Sequence, residues 1–192
     1  MNLYDFDKTI YKFDSPTKFY FFCLKKHPRI WWHLFKSAFW GTLKSLHIIT
    51  LSKFKEEHFS FILYLPDHKK DLDLFWEKEI KNINSWYYDQ KRDDDVICSA
   101  TPRFIMETIV PKINPKATLI CSEMDEKTLK FKKNETNCKG ENKVVKLKAK
   151  GFTSFEEGYS DSNSDVPMLK MCKKRFLVKN GEIFKFDEKY FD

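Results

Sequence analysis

The sequence lacks several features that would assign it to a special class of protein. No apolar run approaches the ~18 residues of a membrane-spanning helix, so we expect no transmembrane helix. Glycine (5) and proline (7) are too scarce for a collagen-like or linker-like chain. The five cysteines are scattered without a C-x-x-C pair, and the first residues lack the basic and apolar stretch of a signal peptide. We therefore expect a cytoplasmic protein with reduced thiols.

Aromatic residues and positive charge are abundant instead. Aromatics make up 17% of the 192 residues, which is enough to build a core and argues against disorder. The net charge is +7, and residues 15–92 hold 14 basic and 8 acidic residues, against 21 and 20 in the rest. All five histidines and all five tryptophans also lie in residues 15–92. This uneven distribution of charge, histidine and tryptophan predicts two regions. Residues 1–14 and 93–192 form a core, and residues 15–92 (the insertion) lie between its two parts.

Hydrophobic periodicity in the insertion is typical of helices. Four helices are predicted, at 16–26, 28–48, 52–64 and 69–90, arranged as a small bundle. Ser15 is expected to cap the first helix, with Pro16 at its first position. One face of the second helix carries Trp31, Phe35, Phe39 and Leu43.

The rest of the chain alternates short apolar runs with helical patterns. Strands are predicted at 2–6, 96–98, 117–121, 155–160 and 175–179, with an edge strand after Asn180-Gly181. Helices are predicted at 102–111, 141–150 and 164–171, and a polar hairpin or flap at 124–138. This alternation predicts an α/β fold with a doubly wound, Rossmann-like parallel sheet.

Residues 15–55 are unusual because they combine eight basic and ten aromatic residues with no acidic residue. Two interpretations stay open. The aromatics form the core of the helical bundle beneath a solvated lysine face, or they form a surface that contacts an anionic membrane. Trp31 and Trp32 lie ~100° apart on a helix, so both cannot easily point inward.

Four short polar motifs each come where a predicted strand ends. They are Asp5-Phe6-Asp7-Lys8-Thr9, Ser99-Ala100-Thr101-Pro102, Lys143, and the segment from Gly158 to Asp165. Ligands of open α/β sheets bind at the carboxyl ends of the strands, so these side chains should converge. Clustered carboxylates suit Mg²⁺, and a carboxylate can also attack phosphorus. Hydroxyl and lysine groups would hold the oxygens of a transferring phosphoryl group.

The four motifs in this order resemble the haloacid dehalogenase (HAD) superfamily of phosphatases. The similarity is to the branch of phosphoserine phosphatase, which carries a helical cap between the first and second motifs. Residues 137–143 and 159–169 also look similar to the group around bacterial phosphatidylglycerophosphatase C. The resemblance covers nearly the whole chain. It implies a Mg²⁺-dependent phosphomonoester hydrolase that acts through an aspartyl-phosphate.

The resemblance implies the reacting groups and the metal ligands. Asp5 would be the nucleophile, and Asp7 would be first the general acid and then the general base. Asp5, the backbone carbonyl of Asp7 and the side chain of Asp161 would bind Mg²⁺. Lys8 departs from the pattern, because many family members have glycine at this position.

The resemblance also implies the groups that hold the phosphate. Ser99 would bind it together with the backbone N–H groups that follow, from Ala100 to the start of the next helix. Lys143 would neutralise the phosphate and Asp5. Asp165 would orient Lys143 or a metal-bound water, and Thr9 would support the phosphate-binding loop.

The substrate stays open. A phospholipid headgroup phosphate such as phosphatidylglycerophosphate would explain residues 15–55 through peripheral contact with the inner face of an anionic membrane. A small metabolite such as phosphoserine is the alternative, and Asp14 would then bind its amine unless it only starts a helix. The arginine that this branch uses for the substrate carboxylate has no clear match, which disfavours phosphoserine.

Two classes of non-enzyme share part of this residue pattern. A signalling receiver phosphorylates an aspartate after a later strand than its acidic pair, whereas Asp5 and Asp7 share one loop. A nucleic-acid-binding module would use the basic aromatics but would leave the four motifs unexplained. Neither is favoured, no nucleic-acid partner is expected, and the sequence does not predict the oligomeric state.

Overall fold

A mixed sheet organises the molecule. The computed structural model describes residues 1–132, 135–187 and 189. Six strands form one sheet in the order β3-β2-β1-β4-β5-β6. They are β1 (Leu3–Tyr4), β2 (Val96–Pro102), β3 (Thr118–Ser122), β4 (Phe155–Ser160), β5 (Cys172–Lys179) and β6 (Glu182–Lys185). All neighbours are parallel except β5 and β6, which pair antiparallel. The predicted α/β fold with a largely parallel sheet is confirmed.

The helices between the strands of the core are shorter than predicted. They are α6 (Arg103–Met106), α7 (Val110–Ile113), α8 (Glu141–Ala149) and α9 (Val166–Leu169). The single helix expected at 102–111 is wrong, because β2 continues to Pro102, which is still in register with Ser122 of β3. The predicted flap at 124–138 falls partly outside the described residues, and Met124 pairs with Phe131 in an isolated bridge.

The insertion is helical but more finely divided than predicted. Its helices are α1 (Ser15–Lys26), α2 (Trp32–Ser45), α3 (Leu51–Phe59), α4 (His68–Glu79) and α5 (Ser85–Gln90). The helix predicted over 69–90 is interrupted at Ile83 and Asn84. Ile83 bridges to Tyr11, and the Asn84 amide donates to the carbonyl of Ile10. Pairing with the core therefore breaks the helix at this point.

The start of α1 differs from the expectation that Ser15 caps it. The carboxylate of Asp14 accepts a hydrogen bond from the amide of Thr17 at 2.9 Å, so Asp14 is the capping residue. Ser15 is the first helical residue and is fully buried. Its amide donates instead to Asp7, which ties the start of α1 to the loop after β1.

One hydrophobic core joins the insertion to the sheet. The larger buried cluster contains Tyr4 and Phe6 from the sheet side together with Phe19 and Trp76 from α1 and α4. The ring of Trp76 meets that of Phe6 edge-on at 5.9 Å, and its indole N–H donates to the carbonyl of Ile105. A second cluster around Leu3, Leu147 and Phe155 covers the other face of the sheet.

Two further sequence expectations concern cysteines and membrane spans. All five cysteines are buried free thiols. Among the described residues, no helix combines the length and apolar character that crossing a bilayer requires.

Candidate active site

A cavity of about 450 Å³ opens where the polar motifs meet, between the sheet and the insertion. Most of the predicted site residues line it, namely Asp5, Asp7, Asp14, Ser99, Ala100, Lys143, Asp161 and Asp165. The insertion contributes the opposite wall through Pro16, Thr17, Leu51, Phe54, Lys55, His58 and Phe59. Motifs that are far apart in the sequence therefore converge because they follow neighbouring strands β1, β2 and β4.

Asp5 follows β1 directly and is nearly buried. Its backbone amide donates to the carbonyl of Tyr159 at 2.9 Å, which fixes the loop against β4. One carboxylate oxygen accepts a hydrogen bond from Lys143 Nζ at 2.6 Å. Burial raises the pKa of Asp5 to about 7; Lys143 opposes this shift, while Asp165 and Asp161 add to it. Lys143 thus supports the charged form that a nucleophile needs.

Asp7 is held by both of its carboxylate oxygens. One accepts from the amide of Ser15 at 2.8 Å and the other from the hydroxyl of Thr101 at 2.5 Å. Burial, reinforced by the nearby charge of Asp14, raises the pKa of Asp7 to about 6. A pKa near neutrality suits a group that must both donate and accept a proton. The part played by Thr101 was not predicted from the sequence.

Lys143 lies in the first turn of α8 and bridges two acids. Its Nζ donates to Asp5 at 2.6 Å and to Asp165 at 2.7 Å, and Asp165 also accepts from the hydroxyl of Ser160. Burial would lower the pKa of Lys143, but the charges of Asp5 and Asp165 outweigh it and raise the pKa. The lysine is therefore cationic at neutral pH. Asp165 makes no side-chain capping bond to α9, so its contacts fit the lysine-orienting role.

Lys8 occupies a strained position in the turn after β1. Its φ is 59°, in the left-handed region that favours glycine. Lys8 lines the cavity, and its charge opposes the burial that raises the pKa of Asp161. The departure from glycine thus adds a cation beside the acids at a cost in backbone strain.

Ser99 and Ala100 follow a different local structure from the one expected. The chain stays extended through Pro102, so the backbone N–H of Ala100 lies within β2 and the next helix, α6, begins at Arg103. The carbonyl of Ala100 accepts from Lys55 Nζ and from the hydroxyl of Ser122, both at 2.8 Å. The hydroxyl of Ser99 accepts from the amide of Thr101 and lines the cavity. Phosphate binding by Ser99 and Ala100 stays a prediction.

Thr9 and Asp14 have contacts of other kinds. Thr9 is fully buried and does not line the cavity, and its hydroxyl lies 3.5 Å from Asp5. This position fits the predicted support of the phosphate-binding loop by Thr9, and a contact with the substrate itself stays a prediction. Asp14 caps α1 and also lines the cavity, so the two interpretations of Asp14 are compatible.

Lys55 of α3 is a site residue that sequence reasoning missed. Its Nζ donates to the carbonyl of Ala100 at 2.8 Å and to Asn137 Oδ1 at 2.7 Å, which connects the insertion to the core across the cavity. Burial lowers the pKa of Lys55 to about 8. Nothing in the local pattern separates Lys55 from the other basic residues of the insertion, since its partners lie 45 and 82 residues away.

The oxygen donors in the cavity fit a magnesium ion. Asp5 and Asp161 line one cavity, and their pKa values are raised by burial and by neighbouring carboxylates, a repulsion that a cation would relieve. In residues 1–132, 135–187 and 189, no three His, Cys, Asp or Glu side chains form a metal cluster. That is consistent with a site in which two carboxylates act with a backbone carbonyl, such as that of Asp7.

Comparison with known proteins finds a matching family model and similar folds. Residues 3–170 match the family model of the haloacid dehalogenase-like hydrolases. A protein of unknown function from Bordetella pertussis Tohama I has a similar structure, with a TM-score of 0.75, 17% identity, and coverage of 91% of this chain and 87% of that one. A phosphoserine phosphohydrolase-like protein from Francisella tularensis subsp. tularensis SCHU S4 is also similar, with a TM-score of 0.56, 17% identity, and coverage of 91% and 84%. No curated protein is significantly similar in sequence.

Proposed function

The chain belongs to the haloacid dehalogenase-like hydrolase family, and from that membership we propose that it hydrolyses phosphomonoesters through a phosphorylated Asp5. The observation that carries the proposal is the buried contact of Lys143 with Asp5 and Asp165 in the cavity that also holds Asp7. A signalling receiver has no use for Asp7 as a proton carrier beside the phosphorylated group.

The chemistry follows from these contacts. A carboxylate oxygen of Asp5 bonds to phosphorus while the bond from phosphorus to the leaving oxygen breaks, and Asp7 gives that oxygen a proton. Asp7, now ionised, takes a proton from a water that attacks the phosphorus. Inorganic phosphate then leaves and the Asp5 carboxylate is restored. Lys143 balances the negative charge throughout, and Ser99 donates to a phosphoryl oxygen.

Magnesium is the cofactor that the donor set favours. Asp5, Asp161 and the backbone carbonyl of Asp7 would hold the ion, and it would supply positive charge to the phosphoryl oxygens. Asp165 keeps Lys143 pointed at one carboxylate oxygen of Asp5, Oδ1.

The substrate we propose is a phospholipid headgroup phosphate, such as phosphatidylglycerophosphate. The motif resemblance to the phosphatidylglycerophosphatase C group supports it, as does the wall of the cavity formed by Leu51, Phe54 and Phe59, which can contact the apolar part of a lipid that lies beyond the polar headgroup. Such a substrate would bring the enzyme to the inner face of an anionic membrane. We further propose that residues 15–92 act as the cap over the site.

Phosphate release from a panel of phosphomonoesters tests the proposal. The panel contains phosphatidylglycerophosphate in mixed micelles, phosphoserine and para-nitrophenyl phosphate, with Mg²⁺ or with EDTA. We expect release that requires Mg²⁺ and is lost in Asp5→Asn, because the amide is not a nucleophile at phosphorus. Asp89→Asn, at an exposed position outside the cavity, is the matched control and should keep full activity.

The outcomes separate the parts of the proposal. Release from lipid phosphate in preference to phosphoserine supports the substrate. Preference for phosphoserine would keep the mechanism but replace the substrate with a small metabolite. Activity that survives in Asp5→Asn would contradict the mechanism.

A further inference from the structure

Helix α2 is built with its polar side inward. His33 is fully buried, and its ring nitrogens contact the hydroxyls of Tyr20, Ser37 and Ser60 within 3.2 Å. Ser37, on the same side of α2, also contacts the ring of His58 on α3. The side of α2 that packs against α3 is therefore a hydrogen-bonded polar network, enclosed by the rings of Tyr20 and Phe61.

The opposite side of α2 is aromatic and open to solvent. We call it the aromatic face; it consists of Trp31, Trp32, Phe35, Phe39 and Leu46. Phe35 is 81% exposed, Phe39 59% and Trp31 58%. These residues recur at helical spacing on one side, so they form one surface and not scattered single exposures. These rings of α2 therefore do not fill the interior of a bundle, whereas Phe19 and Tyr20 of α1 do.

The exposed aromatics of this face need a partner. Contiguous apolar surface of this kind marks an interaction site, because leaving it in water loses the free energy of burial. Of the ten aromatics in residues 15–55, the structure buries only Phe19 and Tyr20, both on α1. Phe22, Trp40 and Phe54 are half-buried, and the other five aromatics are exposed.

Charge next to the aromatic face indicates the kind of partner. The indole N–H of Trp31 donates to the carbonyl of Leu24, so the exposed Lys25 that follows lies at one end of the face, and the exposed Arg29 precedes Trp31 by two residues. Within the described residues, neither cation forms an ion pair, and residues 15–55 contain no acid. We propose that the aromatic face docks on an anionic lipid bilayer, with Lys25 and Arg29 at the headgroups.

A second copy of the chain is a poorer occupant of the aromatic face. A symmetric dimer through this face would offer Lys25 and Arg29 no acidic partner from residues 15–55 of the other copy. A bilayer can bury the exposed rings and also pair with the cations. Its interface accommodates tryptophan and phenylalanine, and its anionic headgroups attract Lys25 and Arg29.

The docking proposal extends the proposed function and rests on it only for the link to a lipid substrate. Helix α3 packs between the aromatic face and the cavity, to which it contributes Leu51, Phe54, Lys55 and His58. Docking on α2 would therefore place a bilayer one helix away from the phosphate site. Vesicle binding is measured without turnover, so the two proposals can fail separately.

Co-sedimentation with vesicles tests the docking proposal. The probes are vesicles of phosphatidylcholine alone and of phosphatidylcholine with phosphatidylglycerol, each at low and high salt. We expect binding to the anionic vesicles that weakens at high salt. The double variant Phe35→Ser/Phe39→Ser should bind these vesicles at least about tenfold more weakly, because it removes two inserted rings. The double variant Lys25→Gln/Arg29→Gln should lose most of the vesicle binding that high salt weakens.

Controls keep the result interpretable. Phe184→Ser removes an exposed ring from β6, away from the aromatic face, and should bind as the unchanged chain does. Phe35 and Phe39 lie outside the cavity, so their variant should hydrolyse para-nitrophenyl phosphate at the normal rate, which shows that it is folded. Three outcomes would each overturn the proposal. They are failure to bind anionic vesicles, equal binding to neutral vesicles at every salt concentration, and a dimer that the double variant abolishes.

Discussion

At the scale of single residues, the reacting groups are positioned by partners from distant parts of the chain. Thr101 reaches Asp7 across 94 positions and Lys143 reaches Asp5 across 138. The carboxylates themselves were predicted from the sequence, because acids directly after a buried strand form a recognisable pattern. Thr101 and Lys55 were missed because a threonine or a lysine has no distinguishing pattern until the fold supplies its partner.

Thr101→Val tests the positioning of Asp7. The variant removes a hydrogen bond to the charged form of Asp7, so the pKa of Asp7 should rise above its value of about 6. Loss of a hydrogen bond to a charged group costs about 1.5–3 kcal/mol, so kcat should fall about 10- to 100-fold. The pH dependence of kcat, measured with para-nitrophenyl phosphate, checks both effects. A lower kcat with an unchanged profile would mean that Thr101 does not act through Asp7.

Lys143→Met tests the electrostatic balance of the buried acids. Removing the lysine leaves Asp5 and Asp165 unpaired in the interior, which typically destabilises by about 3–5 kcal/mol. Urea unfolding measures the loss. Lys146→Met, one turn later on the same helix, is the matched control, because its half-buried pair with Glu135 should contribute about 1 kcal/mol or less. Equal losses in the two variants would contradict the special role of Lys143.

At the scale of elements, the order of strands and helices could be predicted, and their ends and orientation could not. Apolar runs such as 96–98 and 117–121 indicated strands because both faces of a parallel sheet are covered. The break at Ile83 depends on pairing with Tyr11, which local sequence does not encode. Periodicity showed that α2 has an aromatic face, but the direction of that face is decided by the polar network of His33.

The network between α2 and α3 makes the insertion sensitive to acid. Burial lowers the pKa of His33 and of His58 to about 4, from the usual 6.5. Between pH 6.5 and 4 the unfolded chain therefore binds more protons than the folded one, so stability is lost as the pH falls through this window.

His33→Asn tests whether this network causes the loss of stability in acid. The variant removes one of the two titrating groups, so the fall in Tm between pH 7 and pH 5 should be smaller than in the unchanged chain by about 2–4 °C. Thermal melts followed by circular dichroism at the two pH values give the comparison. Identical falls in both proteins would show that His33 is not the group that titrates.

At the scale of the whole molecule, the insertion and the sheet are parts of one folded unit. Phe59 of α3 meets Phe104 of the core edge-on at 5.9 Å, and Trp76 of α4 packs on Phe6. Shared burial of this kind couples the stability of the two regions. The sequence indicated two regions from their charge, but charge patterning carries no information on how much apolar surface they share.

We therefore expect a single cooperative unfolding transition. Calorimetry should give one endotherm, with equal calorimetric and van't Hoff enthalpies. Trp76→Ala should lower the free energy of unfolding of the whole protein by about 3–5 kcal/mol, and it should not unfold the insertion alone. Two separable transitions, or a variant that loses only the helical signal of residues 15–92, would contradict this expectation.

The shared core also limits how this protein can acquire new substrates. Exchange of residues 15–92 for the equivalent segment of a relative would remove Trp76 and Phe59 and leave Phe6 and Phe104 without their packing partners. Recombination of whole segments is thus a costly evolutionary route for this chain. Point substitutions at the half-buried Leu51 or Phe54 of α3 alter the wall of the cavity without touching Phe59. Divergence within this lineage should therefore concentrate at those positions.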